Sequence, residues 1–228
     1  MAWNLATVTP GAPASLVVPR IALCAPHWGS VSLEWADKMY KNLMVNQPDF
    51  EKFPVMMRGI LNLDTERNQL VKAALKDPKM THILFVDTDC IPESPPDPNV
   101  AIRMLLATNH DIASGFYRAA QVVGFNPAMW AKDPSVPIGY AAISTWTGNW
   151  LGVDAIGLGF ALFKRAVFEK IPYPWFQWFP DPTPSEDFDF CRKLKAAGYD
   201  IRVMTDVKLS HMKTLKIMPD GTFKMPEA

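Results

Sequence analysis

The sequence lacks the features of a disulfide-stabilised, zinc-binding or nucleic-acid-binding protein. Its 228 residues include only three cysteines, Cys24, Cys90 and Cys191, which are far apart and show no CxxC spacing. This odd count argues against a disulfide framework and a cysteine zinc site, and favours reduced, buried thiols in a cytosolic protein. Basic and acidic residues both number 23. The zero net charge removes the positive surface expected of a nucleic-acid binder, although local clusters could still bind phosphate.

Long apolar runs are also missing. No stretch approaches the roughly 20 apolar residues that a membrane-spanning helix needs. Residues 1–20 have no basic segment ahead of an apolar run, as a signal peptide would. We therefore expect a cytoplasmic protein, while a peripheral association with a membrane stays open. Residues 1–20 are predicted to be a flexible lead-in, and residues 214–228 a C-terminal tail.

The remaining residues, 21–213, have the pattern of a single α/β domain. Short apolar runs at residues 21–25, 53–58 and 82–86 indicate strands, and helical patterns separate them. Alternating strands and helices favour a sheet covered on both faces. The sequence thus predicts a three-layer α/β/α sandwich with a mostly parallel central sheet.

Capping signals and apolar runs set the other predicted elements. Asp64 and Asp97 are predicted N-caps of helices at residues 65–76 and 98–108, and Ser185 of a helix at residues 186–197. Residues 111–116, 156–163 and 201–204 indicate further strands. Residues 118–153 have weak periodicity.

Asp87 and Asp89 directly follow the apolar run at residues 82–86. A buried strand that ends there would place both carboxylates at the carboxyl edge of the sheet, where open α/β sheets bind ligands. Mn²⁺ or Mg²⁺ prefers such oxygens and can bridge a diphosphate. The alternative is a helix cap and a solvated loop acid, since a DxD pattern alone is a weak signal.

Several other residues could have either a functional or a structural role. Glu186 and Asp187 could supply a general base, but acids in the first turn of a helix also favour its dipole. His211 could bind a metal or be structural, and Arg67 could hold a phosphate or lie on a solvated helix face. Gly159, in the segment Gly157-Leu-Gly159, could allow a close approach to a ligand or form a bulge.

The aromatic segment at residues 173–179 lies close to these acids in the sequence. Aromatic faces suit sugar rings, but a packed surface flap is the simpler interpretation.

The order of these features resembles that of GT-A glycosyltransferases, especially family 2-like members, over residues 21–211. The resemblance implies that Asp87 and Asp89 form the DxD motif that holds the metal and the donor diphosphate. It implies that Asp187, preceded by Glu186, is the base of inverting members, and that His211 is a late metal ligand.

The same resemblance divides the domain into a nucleotide-binding half, residues 21–117, and an acceptor half, residues 118–213. Arg67 matches an Ala-Arg-Asn segment of the family, although Glu66 replaces its small residue. Pro26 matches a segment near the nucleoside, but Ala25-Pro-His-Trp28 replaces the usual Thr/Ser-Tyr-Asn pattern and leaves the base of the nucleotide open. Gly159 belongs to the expected donor site.

The expected activity is a metal-dependent, hexosyltransferase-type transfer from a UDP- or GDP-sugar to an acceptor hydroxyl. The acceptor could be a glycan, a lipid-linked sugar, a small metabolite, a protein or a modified nucleic acid, and the oligomeric state is open. A sugar-nucleotide nucleotidyltransferase is an alternative, weakened because one glycine follows the first strand where a glycine-rich loop would be needed. A non-catalytic carbohydrate-binding protein on a degenerate transferase fold is another.

Overall fold

The computed structural model describes residues 18–27, 31–45, 47–58, 62–120, 125–178, 185–212, 216–217 and 223–224. Most of the predicted lead-in, residues 1–20, and of the predicted tail, residues 214–228, lies outside these ranges, as do residues 28–30 and 179–184. Within the described part, no helix combines the length and apolar character needed to cross a bilayer.

Strands and helices alternate through the first half of the chain, as the sequence predicts. The elements are β1 (Arg20–His27), a helical segment formed by α1 (Leu33–Trp35), a π-helical turn (Ala36–Tyr40) and α2 (Lys41–Leu43), β2 (Glu51–Arg58), α3 (Leu63–Leu75), β3 (His82–Val86), β4 (Cys90–Ser94), α4 (Pro98–Ala107) and β5 (Ile112–Phe116). The Asp97 side chain caps α4 as predicted. By contrast, Asn62 rather than Asp64 is the N-cap of α3. The Asp64 carboxylate instead accepts a hydrogen bond from the Trp178 N–H at 3.1 Å.

The second half contains many short strands. Its elements are β6 (Arg118–Ala120), β7 (Phe125–Pro127), β8 (Met129–Lys132), β9 (Tyr140–Ala142), β10 (Trp150–Val153), β11 (Ala155–Ile156), β12 (Phe160–Lys164), α5 (Arg165–Lys170), α6 (Glu186–Ala196), β13 (Ile201–His211), β14 (Lys216–Ile217) and β15 (Phe223–Lys224). The strand predicted at residues 156–163 is thus split into β11 and β12 by the segment from Gly157 to Gly159. The strand predicted at residues 201–204 continues to His211.

The central sheet has the order β10-β13-β5-β12-β3-β1-β2, and β4 pairs with the far end of β13. Pairing directions show that β1, β2, β3, β5 and β13 run one way, while β4, β10 and β12 run the other. The sheet is therefore mixed but mostly parallel. Because β12 is inserted antiparallel between β3 and β5, its first residue, Phe160, pairs with Val86, the last residue of β3.

Helices cover both faces of this sheet. Phe85 of β3 contacts Phe168 of α5 and Phe176 edge to face. The next residue, Val86, lines a small apolar cavity with Trp35 and Leu43 of the α1–α2 segment. Successive residues of a strand point to opposite faces. Hence β3 is buried between two helical layers, as its continuous apolar run predicts.

An aromatic cluster joins α5 and α6 to the sheet. Phe190 of α6 is fully buried. Its ring centroid lies 5.6 Å from that of Phe163, 5.4 Å from that of Phe168 and 4.5 Å from that of Phe176. Aromatic contacts of this kind add to the free energy gained by burial. The cluster fixes α6, and therefore the acids in its first turn, against the sheet.

Replacing Phe190 with alanine should lower the free energy of unfolding by about 3–5 kcal/mol, because a large cavity would remain in the cluster. Urea unfolding followed by circular dichroism measures the change. Leu33→Ala, at a side chain that is 89% exposed, is the control and should have little effect. Equal losses in the two variants would contradict this assignment of the core.

Candidate functional site

Arg67 lies at the centre of a buried cluster of charges. Its Nε donates to Glu186 Oε1 at 3.2 Å, and its Nη2 donates to Asp87 Oδ2 at 3.4 Å. The same Nη2 lies 3.6 Å from Asp187 Oδ1. The residue is only 1% exposed, which rules out the solvated helix face as its location. Arg67 of α3 thus connects the carboxyl end of β3 to the first turn of α6.

The ionisation of these groups is coupled through Arg67. Burial acts to lower the pKa of the guanidinium, but the charges of Asp87, Asp187 and Glu186 outweigh it, and the pKa is raised. Burial raises the pKa of Asp87, against the opposing effect of Arg67. Burial likewise holds the pKa of Asp187 well above its usual value, with Arg67 again opposing. One cation is therefore shared among three carboxylates, which favours binding of a further cation.

The Asp87 backbone is fixed at the carboxyl edge of the sheet. Its N–H donates to the Gly159 carbonyl at 3.0 Å, and its carbonyl accepts from the Cys90 N–H at 3.0 Å. The Trp35 indole N–H also donates to this carbonyl, at 3.2 Å. In contrast, the side-chain Oδ1 of Asp87 is buried and has no hydrogen-bond partner among the described residues. A buried carboxylate oxygen without a donor is suited to bind a cation.

His211, the last residue of β13, faces Asp89, which lies in the loop before β4. His211 Nε2 lies 3.1 Å from Asp89 Oδ2, and His211 Nδ1 lies 3.1 Å from the Arg118 carbonyl oxygen. Because a carbonyl can only accept, we assign the ring hydrogen to Nδ1. In the neutral ring, the Nε2 lone pair then faces a carboxylate oxygen.

A proton or a cation at this position would remove that repulsion. Two ligands of an octahedral Mn²⁺ or Mg²⁺ ion, each about 2.1 Å from it at a right angle, are about 3 Å apart. The separation of His211 Nε2 and Asp89 Oδ2 fits this arrangement. The thiol of Cys90 completes a group of three potential ligand atoms that lie within 4.8 Å of one another.

Asp187 and Glu186 differ in their access to solvent. The Asp187 side chain is 17% exposed and the Glu186 side chain 2% exposed. Asp187 Oδ2 accepts a hydrogen bond from the Leu158 N–H at 3.3 Å. Ser185 is the N-cap of α6, as predicted, although its side chain makes no capping hydrogen bond among the described residues. Of the two acids, Asp187 is therefore the one that a bound molecule could reach.

These residues surround one cavity of about 610 Å³. The sequence-predicted residues that line it are Pro26, Arg67, Asp87, Asp89, Glu186, Asp187 and His211. Gly159 is the predicted site residue that is absent from the lining, where Gly157 takes its place. The cavity is also lined by Trp178, which belongs to the aromatic segment noted in the sequence, and by three aromatic side chains that the sequence analysis did not select: Tyr117, Trp130 and Phe188. Tyr117 directly follows β5, so its position after a predicted strand was the signal that could have identified it.

Two of the four aromatic residues in the segment at residues 173–178 are packed, as the flap interpretation predicts, and two are exposed. Trp175 and Phe176 are buried. Asn68 Oδ1 accepts a hydrogen bond from the Trp175 N–H at 3.0 Å, and Asn68 Nδ2 donates to the Phe176 carbonyl at 2.6 Å. Tyr173 and Trp178 are 54% and 57% exposed, and of these two Trp178 lines the cavity.

Comparison with protein-family models finds no match, and comparison with curated proteins finds no significant relative. Solved structures do match. A197 from STIV has a TM-score of 0.61 at 20% identity, with 92% of this chain and 95% of that chain covered. GalNAc-T7, a GT-A glycosyltransferase solved with UDP, GalNAc and Mn²⁺, has a TM-score of 0.55 at 10% identity. That match covers 87% of this chain but only 44% of the GalNAc-T7 chain.

These likenesses establish the fold. The chain has a GT-A-like α/β/α architecture, which confirms the predicted fold class. At such low identities, membership of family 2 stays a prediction.

Replacing Arg67 with methionine should lower the free energy of unfolding by about 3–5 kcal/mol, because three buried carboxylates would lose their shared cation. Chemical unfolding measures the loss. Arg103→Met is a matched control, since Arg103 also pairs with an acid, Asp49, but both side chains are more than 40% exposed. A loss no larger than that of the control would show that Arg67 does not neutralise the cluster.

Proposed function

We propose that this chain is a metal-dependent glycosyltransferase that moves a sugar from a UDP- or GDP-sugar to an acceptor hydroxyl with inversion. The observation that carries the proposal is that Asp87, Asp89, His211 and Asp187 line one cavity, where His211 contacts Asp89 and Arg67 contacts both Asp87 and Asp187. The GT-A-like fold supports it. The sequence pattern favours a family 2-like member.

Asp87, Asp89 and His211 would hold Mn²⁺ or Mg²⁺. Two features support this fit: the buried Asp87 Oδ1, which has no donor within the described part of the chain, and the His211 nitrogen that faces Asp89 Oδ2. When bound, such an ion neutralises the negative charge of a diphosphate leaving group. Arg67 contributes a permanent positive charge on the same side, and its pairing with Glu186 fixes its orientation. We therefore assign Glu186 a role in bracing Arg67.

Asp187 is the proposed general base. The Leu158 N–H orients its carboxylate, and its raised pKa increases its affinity for a proton. It would remove the proton from the acceptor hydroxyl while that oxygen attacks the anomeric carbon. Attack from the side opposite the diphosphate is a single displacement, which inverts the anomeric centre.

The two halves of the domain would share the substrates. Pro26, Arg67 and the Asp87–Asp89 loop belong to residues 21–117, the proposed nucleotide half, and Gly159 supports that loop through the hydrogen bond from Asp87 N–H. Asp187, Phe188 and Trp178 belong to residues 118–213, the proposed acceptor half. The acceptor itself could be any of the classes that the sequence leaves open.

Incubation with UDP-, GDP-, dTDP- and ADP-sugars should give slow release of one nucleoside diphosphate that requires Mn²⁺. Asp89→Ala should abolish this release, because it removes a proposed metal ligand. Phosphate-coupled or chromatographic detection measures the products. Binding without cleavage would favour the carbohydrate-binding alternative, and pyrophosphate release from a nucleoside triphosphate and a sugar phosphate would favour the nucleotidyltransferase.

Asp187→Asn should leave Mn²⁺-dependent binding of the nucleoside diphosphate intact but slow sugar transfer by about 10²–10⁴-fold, because an amide cannot accept the proton. Calorimetry measures binding, and product analysis measures transfer once the screen has identified a donor and an acceptor. Asp189→Asn, in the same helix turn but fully buried and paired with Lys193 and Arg192, is the control for general damage to α6. Unchanged transfer by Asp187→Asn would exclude Asp187 as the base.

A further inference from the structure

We infer that the Tyr117 hydroxyl donates a hydrogen bond to the transferred sugar of the donor and thereby helps to select that sugar. The inference rests on the proposed function. It concerns a residue that sequence analysis overlooked and that belongs to neither the metal group nor the proposed base.

Gly157 and Gly159 leave room for the Tyr117 side chain in the wall of the cavity. A Cβ atom added at Gly157 would lie 2.1 Å from Tyr117 Oη, and one added at Gly159 would lie 3.0 Å from Tyr117 Cζ and 2.5 Å from Cys90 Sγ. Real Cβ atoms essentially never come closer than 3.0 Å to another atom, so a side chain at Gly157 would displace the Tyr117 hydroxyl, and one at Gly159 would displace the Cys90 thiol and crowd the Tyr117 ring. The Gly157-Leu-Gly159 segment therefore serves to admit Tyr117 to the wall of the cavity.

The Tyr117 hydroxyl has a proton with no acceptor among the residues that the structure describes. Its oxygen accepts a hydrogen bond from the Gly159 N–H at 3.3 Å. Within the described residues, no hydrogen bond is donated by this hydroxyl. Tyr117 is 6% exposed and lines the cavity. Leaving a buried O–H without an acceptor is costly, so an oxygen of a bound ligand is the natural partner.

A tyrosine hydroxyl is protonated at neutral pH, so it can accept one hydrogen bond and donate another at the same time. Because the Gly159 N–H already occupies the oxygen as an acceptor, the hydroxyl is left to act as a donor.

The position of Tyr117 indicates which part of the donor it contacts. Its ring lies edge to face with that of His211, with centroids 5.2 Å apart, on the proposed metal side. Its hydroxyl contacts the glycine segment, where the Leu158 N–H holds Asp187, the proposed base. The group between the leaving diphosphate and the acceptor hydroxyl is the transferred sugar. Tyr117 thus faces the sugar rather than the nucleoside.

Tyr117→Phe tests this, because it removes the hydroxyl and keeps the ring that packs against His211 and the glycines. Binding of UDP, GDP, UDP-glucose, UDP-galactose, UDP-N-acetylglucosamine and GDP-mannose would be measured by calorimetry with Mn²⁺. The variant should bind UDP or GDP as the wild type does but bind the preferred sugar nucleotide about 3- to 10-fold more weakly. The differences in affinity among the sugar nucleotides should therefore be smaller for the variant than for the wild type. Tyr173→Phe, at an exposed tyrosine outside the cavity lining, should change none of these affinities.

A second measurement does not depend on the stability of the variant. Donors that each lack one sugar hydroxyl would be titrated into the wild-type protein. One of them should bind about 3- to 10-fold more weakly than the parent donor. The variant Tyr117→Phe should bind this deoxy donor and the parent donor with equal affinity, because the two changes remove the same interaction.

The possible failures are distinguishable. If the wild type and Tyr117→Phe bind each sugar nucleotide with the same affinity, the inference is overturned but the proposed function is not. An equal loss for UDP or GDP and for their sugars would place the contact on the nucleotide and also overturn it. If the wild type binds no nucleotide at all, the proposed function fails, and the inference fails with it.

Discussion

The sharing of Arg67 among Asp87, Glu186 and Asp187 is the interaction on which the site depends. Three carboxylates this close would repel one another in a buried position, and a single guanidinium reduces that repulsion without cancelling it. The residual negative charge favours a divalent cation. The same guanidinium connects α3, β3 and α6, so the electrostatics of the site and the packing of the domain are coupled.

The order of the sheet brings the other components to this charge cluster. Because β12 runs antiparallel between β3 and β5, its amino end lies beside the carboxyl ends of two parallel strands. Asp87 follows β3, Tyr117 follows β5 and Gly159 precedes β12, so three loops meet at one edge. The pairing of β13 with β5 shifts its register between Met204 and Lys208. The last residues of β13 pair with β4, and His211 lies opposite Cys90. Crevices outside the carboxyl ends of parallel strands are where open α/β sheets bind ligands.

Aromatic packing stabilises the side of the cavity that is formed by α6 and the aromatic segment before it. Phe190 stacks on Phe168 and contacts Phe176, which fixes α6 and the preceding segment. Asn68 holds the backbone of that segment from α3, the helix that also carries Arg67. Hence adjacent residues of α3 support both halves of the cavity. Trp178 is left exposed at its rim, where a flat apolar face could contact a bound ring.

The sequence by itself determined the strand at residues 82–86, the acids that follow it and the capped helix α4, because these signals are local: a continuous apolar run, its polar end and an Asp-Pro pair. It also provided, through the order of its motifs, the fold class and the residues Asp87, Asp89, Asp187 and His211. The short strands between residues 118 and 156 could not be predicted, because strands of two to four residues are too short to show a period.

Only the tertiary structure decided that Arg67 is buried, since its partner Glu186 lies 119 residues away in the sequence. It also decided the position of Tyr117 in the wall of the cavity. In the sequence, a tyrosine after a strand cannot be distinguished from a core residue. The antiparallel pairing of β12 with β3 and β5 is what places two glycines against its ring. Contacts between distant segments depend on strand order and register, and neither is encoded in a local pattern.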